Sequence, residues 1–396
     1  MGIGGAGLSG YAVLAKAWGA EVAGWDRHET PYLEHVRAAG IPVTVSEAIE
    51  TGPDDYELVM STAYLSECQS QGQSQGQALG RVPKSRAEFL AELVSLRRAI
   101  VVGGAHGKTT TSAMIAYVLR ALGNDPSWIV GGVVPQLGGN AGVGEGWLVV
   151  EGDESDRSIA LLRPDIAVVT NVELDHHATY ASEAELAAFF DEWLAGAGQV
   201  VRGRDLAPVE LELSVPGEHN RANAAAALAA LELAGVERPH AERAIAAFTG
   251  VGRRFETVGE RGGVRVVDDY GHNPTEIAAA LATARALEPR ALIAVYQPHV
   301  YERTRQLHHE LGIALGAADA AIVTHVIGGR DAPLPGVSGK LVLDHVPSPT
   351  RRGWAPTLED AATLVLAWAR PGDVVITLGV GEPWRVARAV VEGLAE

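Results

Sequence analysis

The segment "VVGGAHGKTTTSAMIAYVL", residues 101–119, has the residue types that hold a phosphate. An apolar run leads into Gly104, Ala105, His106 and Gly107; Lys108, Thr109 and Thr110 follow, and then helical periodicity. Glycines let backbone N–H groups turn inward, and the helix that follows adds the positive end of its dipole. Lys108 would reach the outer phosphates of ATP, and the Thr109 hydroxyl would ligate Mg2+. The common spacing puts a glycine five positions before the second one. That position is Val102 here, so the loop is the variant G-x-H-G-K-T. The plainer reading, a glycine-rich turn with a chance lysine, is disfavoured by the strand before it and the helix after it.

Two acidic clusters follow. "WLVVEGDESDRS" reads as a strand ending at Glu151, with Asp153, Glu154 and Asp156 behind it. "PDIAVVTNVELDHHATY" reads as a strand ending at Asn171, then Asp175, His176 and His177. Ligands in open α/β sheets bind beyond the carboxyl ends of the strands, which is where both clusters fall. Carboxylates or imidazoles there could hold a metal beside the β- and γ-phosphates. Solvated loop acids and surface histidines are the plainer alternative.

These residues need a scaffold of alternating strands and helices. Short β-branched runs alternate with alanine-rich helical segments along the whole chain, the α/β pattern. Strand candidates near the end are "GVRVVDDY", "RALIAVYQP", "DAAIVTHVI" and "DVVITLGVG". A chain of 396 residues is too long for one core, and three blocks stand out: 1–98, 99–250 and 251–396. The first ends after "SECQSQGQSQGQALG", which reads as a mobile surface loop.

Composition narrows the function. Acidic residues outnumber basic ones by 49 to 32, a net charge of −17, which argues against a nucleic-acid or anionic-membrane surface. Any anion must be held by local groups. One cysteine, Cys68, gives no disulfide framework and fits a reducing cytoplasm. No apolar run reaches the ~18 residues of a membrane span.

The N-terminus, "MGIGGAGLSGYAVLAKAWGAEVAGWD", has G-x-G-x-x-G at Gly2, Gly4 and Gly7. Asp26 follows 19 residues after Gly7, at the end of a strand candidate. Alone this is a dinucleotide fingerprint, and NAD would be the first guess.

Taken in order, the motifs resemble those of the Mur ligase family, ATP-dependent enzymes that build the peptide stem of bacterial peptidoglycan. The resemblance rests on "GAHGKTTT", "EGDESD", "NVELDHHATY", "GEHNRANAAAALA", "GRRFE" and "DDYGHNPTE", with "YQPHVYERTR" and "GGRDAPLPGVSG" behind them. It covers nearly the whole chain. It implies three domains: a Rossmann-like UDP-binding domain, a central P-loop ATPase-type parallel-sheet domain and a Rossmann-like C-terminal domain that closes on the others. The last motifs are similar to those of the member that joins L-alanine to the lactyl carboxylate of UDP-N-acetylmuramate through an acyl phosphate. A cytoplasmic monomer or weak dimer is expected.

The resemblance also implies roles. Lys108, with Mg2+ at Thr109 and Glu151, would serve phosphoryl transfer, and His176 matches a ligand of a second metal. His219, Asn220 and Asn223 match positions near the adenosine. Arg254 matches an arginine that reaches the nucleotide, and Asp269 and His272 match residues beside ATP. Tyr270, His299 and Arg303 would lie near the incoming alanine. Gly4, Gly5, Gly7, Ser9 and Asp26 would hold the UDP-sugar. The bland alternatives are a plain helix start at Asn273–Glu276, helix-surface amides at Asn220 and Asn223, and a solvated pair at Arg253 and Arg254.

Some positions depart from the family pattern. The strand expected before the glycine fingerprint is missing from the sheet as read. His219 follows His177 by only 42 positions, about half the family's usual span, so the central domain is expected to be shortened. Val300 stands where the family pattern has arginine, and Asn273 where it has histidine. Three other readings stay open: a ligase that attaches a recycled peptide, a nucleotide-binding homologue without turnover, and an NAD-dependent oxidoreductase.

Overall fold

The computed structural model describes the chain except residues 51, 54, 62–63, 65–81, 175–178, 329–331 and 396. The low-complexity patch, Cys68 and His176 lie outside the described residues. The chain divides into two compact units, Met1–Ser214 with Arg221–Thr249, and Val215–Asn220 with Gly250–Glu396.

The first unit begins with two small parallel pairs. β1 (Gly24–Asp26) pairs with β2 (Val43–Val45), and β3 (Val59–Met60) with β4 (Lys84–Ser85). Met1 and Gly2 lie between the two pairs. The Met1 nitrogen donates to Val59 O at 2.6 Å, Ser61 N donates to Met1 O at 3.0 Å, and Gly2 N donates to Trp25 O at 2.9 Å.

The main sheet of this unit has the order β10-β9-β5-β8-β6-β7. Its strands are β5 (Ala99–Gly103), β6 (Ser127–Val134), β7 (Gly139–Gly142), β8 (Leu148–Glu151), β9 (Ile166–Val169) and β10 (Gln199–Arg202). All neighbours are parallel except β6 and β7. β5 is buried throughout and paired on both edges, which is why its sequence is an unbroken apolar run rather than an alternating one. The helix Lys108–Ala121 follows it and buries ten of its residues between Thr109 and Leu119. The helix Ala6–Ala17 reaches this sheet through Gly10. A Cβ there would stand 3.0 Å from Ala141 Cβ and 3.5 Å from Ile129 Cγ2.

In the second unit the order is β11-β12-β16-β13-β14-β15. Its strands are β11 (Glu256–Arg261), β12 (Val264–Asp269), β13 (Leu292–Tyr296), β14 (Ala320–Val323), β15 (Arg351–Trp354) and β16 (Val374–Leu378). The β11–β12 hairpin is antiparallel and turns on Gly262 and Gly263, both at positive φ; all other pairs are parallel. Separate apolar clusters cover the two faces, which makes the sheet doubly wound. All four strand candidates of this region are strands. β11 and β15 were not among the candidates; "RRGW" in β15 offers neither alternation nor a β-branched residue.

The Gly10 approach gives a test. Gly10→Leu is expected to destabilise the fold by about 1–3 kcal/mol through overpacking against Ala141 and Ile129. Thermal melting reads this, and an unchanged melting temperature would refute the packing account.

Candidate active site

The loop after β5 is shaped by two glycines that tolerate no side chain. Gly104 has φ +126°, and a Cβ there would fall 2.2 Å from Thr170 Oγ1. Gly107 has φ +78°, and a Cβ there would fall 2.2 Å from Asn223 Oδ1. Both conformations lie where L side chains are strained. The neighbouring strand end holds the loop. Ala105 N donates to Asn171 O at 3.3 Å and His106 N to Asn171 Oδ1 at 2.9 Å. His106 O accepts from Thr170 Oγ1 at 2.6 Å and from Asn171 Nδ2 at 2.9 Å. The His106 ring meets Glu173 at 3.1 Å.

Lys108 folds back over this loop. Its Nζ donates to Gly104 O at 2.7 Å, to Ala105 O at 3.3 Å and to Glu154 Oε1 at 3.0 Å. Burial pulls its pKa down, but the Glu154 and Glu151 carboxylates outweigh burial, so the ammonium is held above its ordinary value and stays charged. Glu154 itself is fully buried. Asp153 is likewise kept ionised. Burial opposes this, and hydrogen bonds from Ser155 with the charges of Lys108 and Arg86 prevail.

Thr109 Oγ1 donates to Glu151 Oε2 at 2.8 Å, and Gly131 N donates to the same oxygen at 2.8 Å. The two residues expected to hold Mg2+ are therefore in contact. A hydroxyl and a carboxylate are hard oxygen donors that fit this ion, which keeps several waters of its own. Among the described residues no group of three His, Cys, Asp or Glu is arranged to hold a metal by protein ligands alone. His176, expected at a second metal, lies outside the described residues. Thr110 is buried in the first turn of its helix. Asn223 lies against Gly107, on the phosphate loop.

The N-terminal glycine loop is organised by Asp26. Its Oδ2 accepts from Gly4 N at 2.7 Å and its Oδ1 from Arg27 N at 2.8 Å, while Thr30 Oγ1 donates to Gly4 O at 2.8 Å. Gly5 caps the helix Ala6–Ala17, its carbonyl accepting from Ser9 N at 3.0 Å. Gly7 and Ser9 sit in the first turn, with Ser9 buried.

The second unit gathers its own group. Asp269, at the end of β12, accepts from Phe255 N and Gly271 N, both at 2.7 Å. Burial raises its pKa to about 6 against the pull of Arg254. Arg254 stands 3.9 Å from Glu276 and 5.0 Å from the Tyr270 ring centre. His272 Nδ1 is 3.3 Å from Glu276 Oε2 and 3.2 Å from Tyr270 O. His219 is held below its ordinary pKa by burial and then by Arg254, so it is neutral at neutral pH. Asn220 Nδ2 donates to Pro216 O at 2.6 Å, so at least one of its bonds holds its own turn. Asn273 caps the helix Pro274–Arg285, accepting from Glu276 N at 2.9 Å. His299 bridges to Ile327, and Arg303 lies one turn on, in the first turn of the helix Tyr301–Leu315. Val300 between them has φ +68°, an outlier for a β-branched residue.

Three residues do something other than the sequence suggested. Arg253 donates to Asp268, Gly379, Val380 and Gly381, and so anchors the turn beside Arg254 instead of standing in solvent. Glu154 pairs with the loop lysine. Arg86 opens a helix beside Gly7; its one signal was S-x-x-E at Ser85 and Glu88, a capping box.

Two family models match the chain. "Mur ligase family, catalytic domain" covers residues 1–98, and "Mur ligase, glutamate ligase domain" covers residues 253–381. A UDP-N-acetylmuramate–L-alanine ligase of Rubrobacter xylanophilus is 40% identical, with 100% of this chain and 98% of that protein aligned. The chain belongs to the Mur ligase family. A ligase of the same name from Desulforamulus reducens is 34% identical over 100% of this chain and 97% of its own length. Among solved structures, the UDP-N-acetylmuramate-alanine ligase of Thermotoga maritima superposes with a TM-score of 0.80 at 25% identity, covering 99% of this chain and 97% of that one. A murein peptide ligase of Psychrobacter arcticus shares the fold, with a TM-score of 0.64 at 20% identity over 100% and 98% of the two chains. The three-domain α/β fold expected from the sequence is thus the fold of this Mur ligase, and the family uses ATP.

Asp269 makes the site pH-sensitive. Its folded pKa of about 6 lies above its ordinary 3.8, so the stability it contributes is full below pH 3.8 and is lost as pH rises through about 6. Asp269→Asn removes this titration. Relative to wild type, the variant should gain about 3 kcal/mol of stability between pH 4 and pH 8. Denaturant melts across that range test it; parallel stability curves would show that Asp269 titrates normally.

Proposed function

We propose that this chain joins L-alanine to the lactyl carboxylate of UDP-N-acetylmuramate, releasing ADP and phosphate, in the cytoplasmic stage of peptidoglycan synthesis. The observation that carries the reading is full-length likeness, at 34–40% identity, to relatives named for this reaction. The geometry of the phosphate loop supports it.

The carboxylate oxygen of the sugar attacks the γ-phosphorus and ADP leaves. The alanine nitrogen then attacks the acyl carbon, the bond to the phosphoryl oxygen breaks, phosphate departs and the nitrogen loses a proton. The loop N–H groups and Lys108 bind and orient the triphosphate, with Lys108 exchanging Glu154 and two backbone carbonyls for phosphate oxygens. Thr109 and Glu151 would hold Mg2+, which when bound would supply charge neutralisation for phosphoryl transfer. Neutral His219, with Asn220 and Asn223, serves the adenosine, and Arg254, Asp269 and His272 serve the nucleotide. Tyr270, His299 and Arg303 serve the amino acid, and Gly4, Gly5, Gly7, Ser9 and Asp26 serve the UDP-sugar. We assign residues 1–98 to UDP-sugar binding, 99–250 to ATP binding and 251–396 to amino-acid binding.

Phosphate release from ATP should require both UDP-N-acetylmuramate and L-alanine. Release driven by a tripeptide but not by L-alanine would replace this reading with a recycling ligase. ATP binding without release would replace it with a non-catalytic homologue. Lys108→Ala should lower the rate by about 100- to 1,000-fold, as loss of one preorganised charge-stabilising group does, while the chain stays folded with a lowered melting temperature, because Glu154 loses its buried partner. Wild-type turnover by this variant would remove Lys108 from the mechanism.

A further inference from the structure

The proposed reaction gives no role to the arginine that lies against the N-terminal glycine loop. Arg86 is the first residue of the helix Arg86–Ser95, whose start is fixed by the Ser85–Glu88 capping box. A Cβ on Gly7 would stand 3.1 Å from Arg86 Nη1 and 3.3 Å from its Cδ. The missing side chain at Gly7 therefore lets the arginine lie on the first turn of Ala6–Ala17. Nη1 donates to the buried Tyr11 hydroxyl at 3.3 Å, and Nη2 stands 3.7 Å from Asp153 Oδ2. Asp153 is fixed in turn by Ser155, through N at 2.9 Å and Oγ at 2.6 Å.

This arrangement is incomplete as it stands. The side chain is only 27% exposed, yet its carboxylate contact is long and not bidentate, so the guanidinium keeps donors for a ligand. A cation beside the positive end of a helix dipole gains nothing from that helix, and both favour an anion. The other phosphate-holding loop pairs a helix N-terminus with a buried cation in the same way, at Lys108. Arg27, also near the N-terminal loop, lies 5.4 Å from the Tyr64 ring centre and 3.9 Å from Glu47.

We propose that Arg86 is a substrate-binding residue whose guanidinium pairs with the diphosphate of the UDP-sugar at the Gly4–Gly7 loop, with Asp153 positioning it. This rests on the substrate reading above and adds to it the cation that meets the diphosphate. Because Asp153 lies two residues after Glu151, the same arginine ties the sugar-nucleotide loop to the strand end that holds Thr109.

The test is calorimetric titration of the full chain with uridine, UMP and UDP. Wild type, Arg86→Ala and Arg86→Gln are compared, with ATP titration and thermal melting alongside. Losses should grow with phosphate number: uridine within about two-fold of wild type and UDP weakened about ten-fold or more, as loss of a charge-assisted pair requires. ATP affinity should hold, and UDP binding should lose part of its salt dependence in Arg86→Gln. In turnover, the KM for UDP-N-acetylmuramate should rise while those for ATP and L-alanine stay. Undiminished UDP affinity, or equal losses for uridine and UDP, would overturn the assignment. So would early melting of both variants with ATP binding lost, which makes Arg86 a packing residue. A wild-type chain that binds ATP but no UDP would overturn the substrate reading itself.

Discussion

A chain of net charge −17 that handles anions must build each anion site against its own field. This constraint explains the most unusual feature of the site, a lysine enclosed by carboxylates. Glu154 and Glu151 keep Lys108 charged and turned toward its loop, at the cost of a local negative surplus. Phosphate oxygens can take over the same donors. On the proposed reading the carboxylates would belong to the anion site, because they fix the lysine before the anion arrives.

Fixing the lysine requires a rigid loop, and rigidity comes from the neighbouring strand. β5 delivers the loop from a fully buried position between β8 and β9. Thr170 and Asn171, at the end of β9, bind the backbone of Ala105 and His106 with four hydrogen bonds. The positive-φ glycines bring the loop close enough for those bonds, since any side chain at Gly104 would collide with Thr170. Buried strand, glycine geometry and adjacent strand end thus form one mechanical unit, and the chemistry of Lys108 and Thr109 depends on all of it.

Much of this was legible in the sequence. The glycine loop after β5 and its lysine follow from local spacing, as do four strands of the second sheet, whereas the meeting of Thr109 with Glu151, 42 positions apart, was implied by the resemblance. Two contacts escaped for one physical reason: they depend on partners far apart in sequence. Glu154 meets Lys108 across 46 positions, and Tyr11 meets Arg86 across 75. Local patterns carry no trace of such pairs. Asn273 shows the reverse case, where the bland reading of a helix cap is what the structure contains, whatever else the residue does. β15 was lost because a strand paired on one edge need not be apolar.

The turn at "GRRFE" shows how a strained backbone can serve a site. Arg253 and Phe255 have φ of 61° and 51°, a region that costs residues other than glycine about 1–3 kcal/mol each. Such a turn persists only if its surroundings over-determine it. Arg253 supplies that, with one bond to Asp268 and three to the carbonyls of Gly379, Val380 and Gly381. Phe255 adds its N–H to Asp269. Arg254, held between two anchored residues, is then presented beside Tyr270 and Glu276 with its charge in reserve. Two adjacent arginines of identical chemistry thus have opposite jobs. What separates them is the backbone: only one faces the carbonyls of the last parallel strand's end.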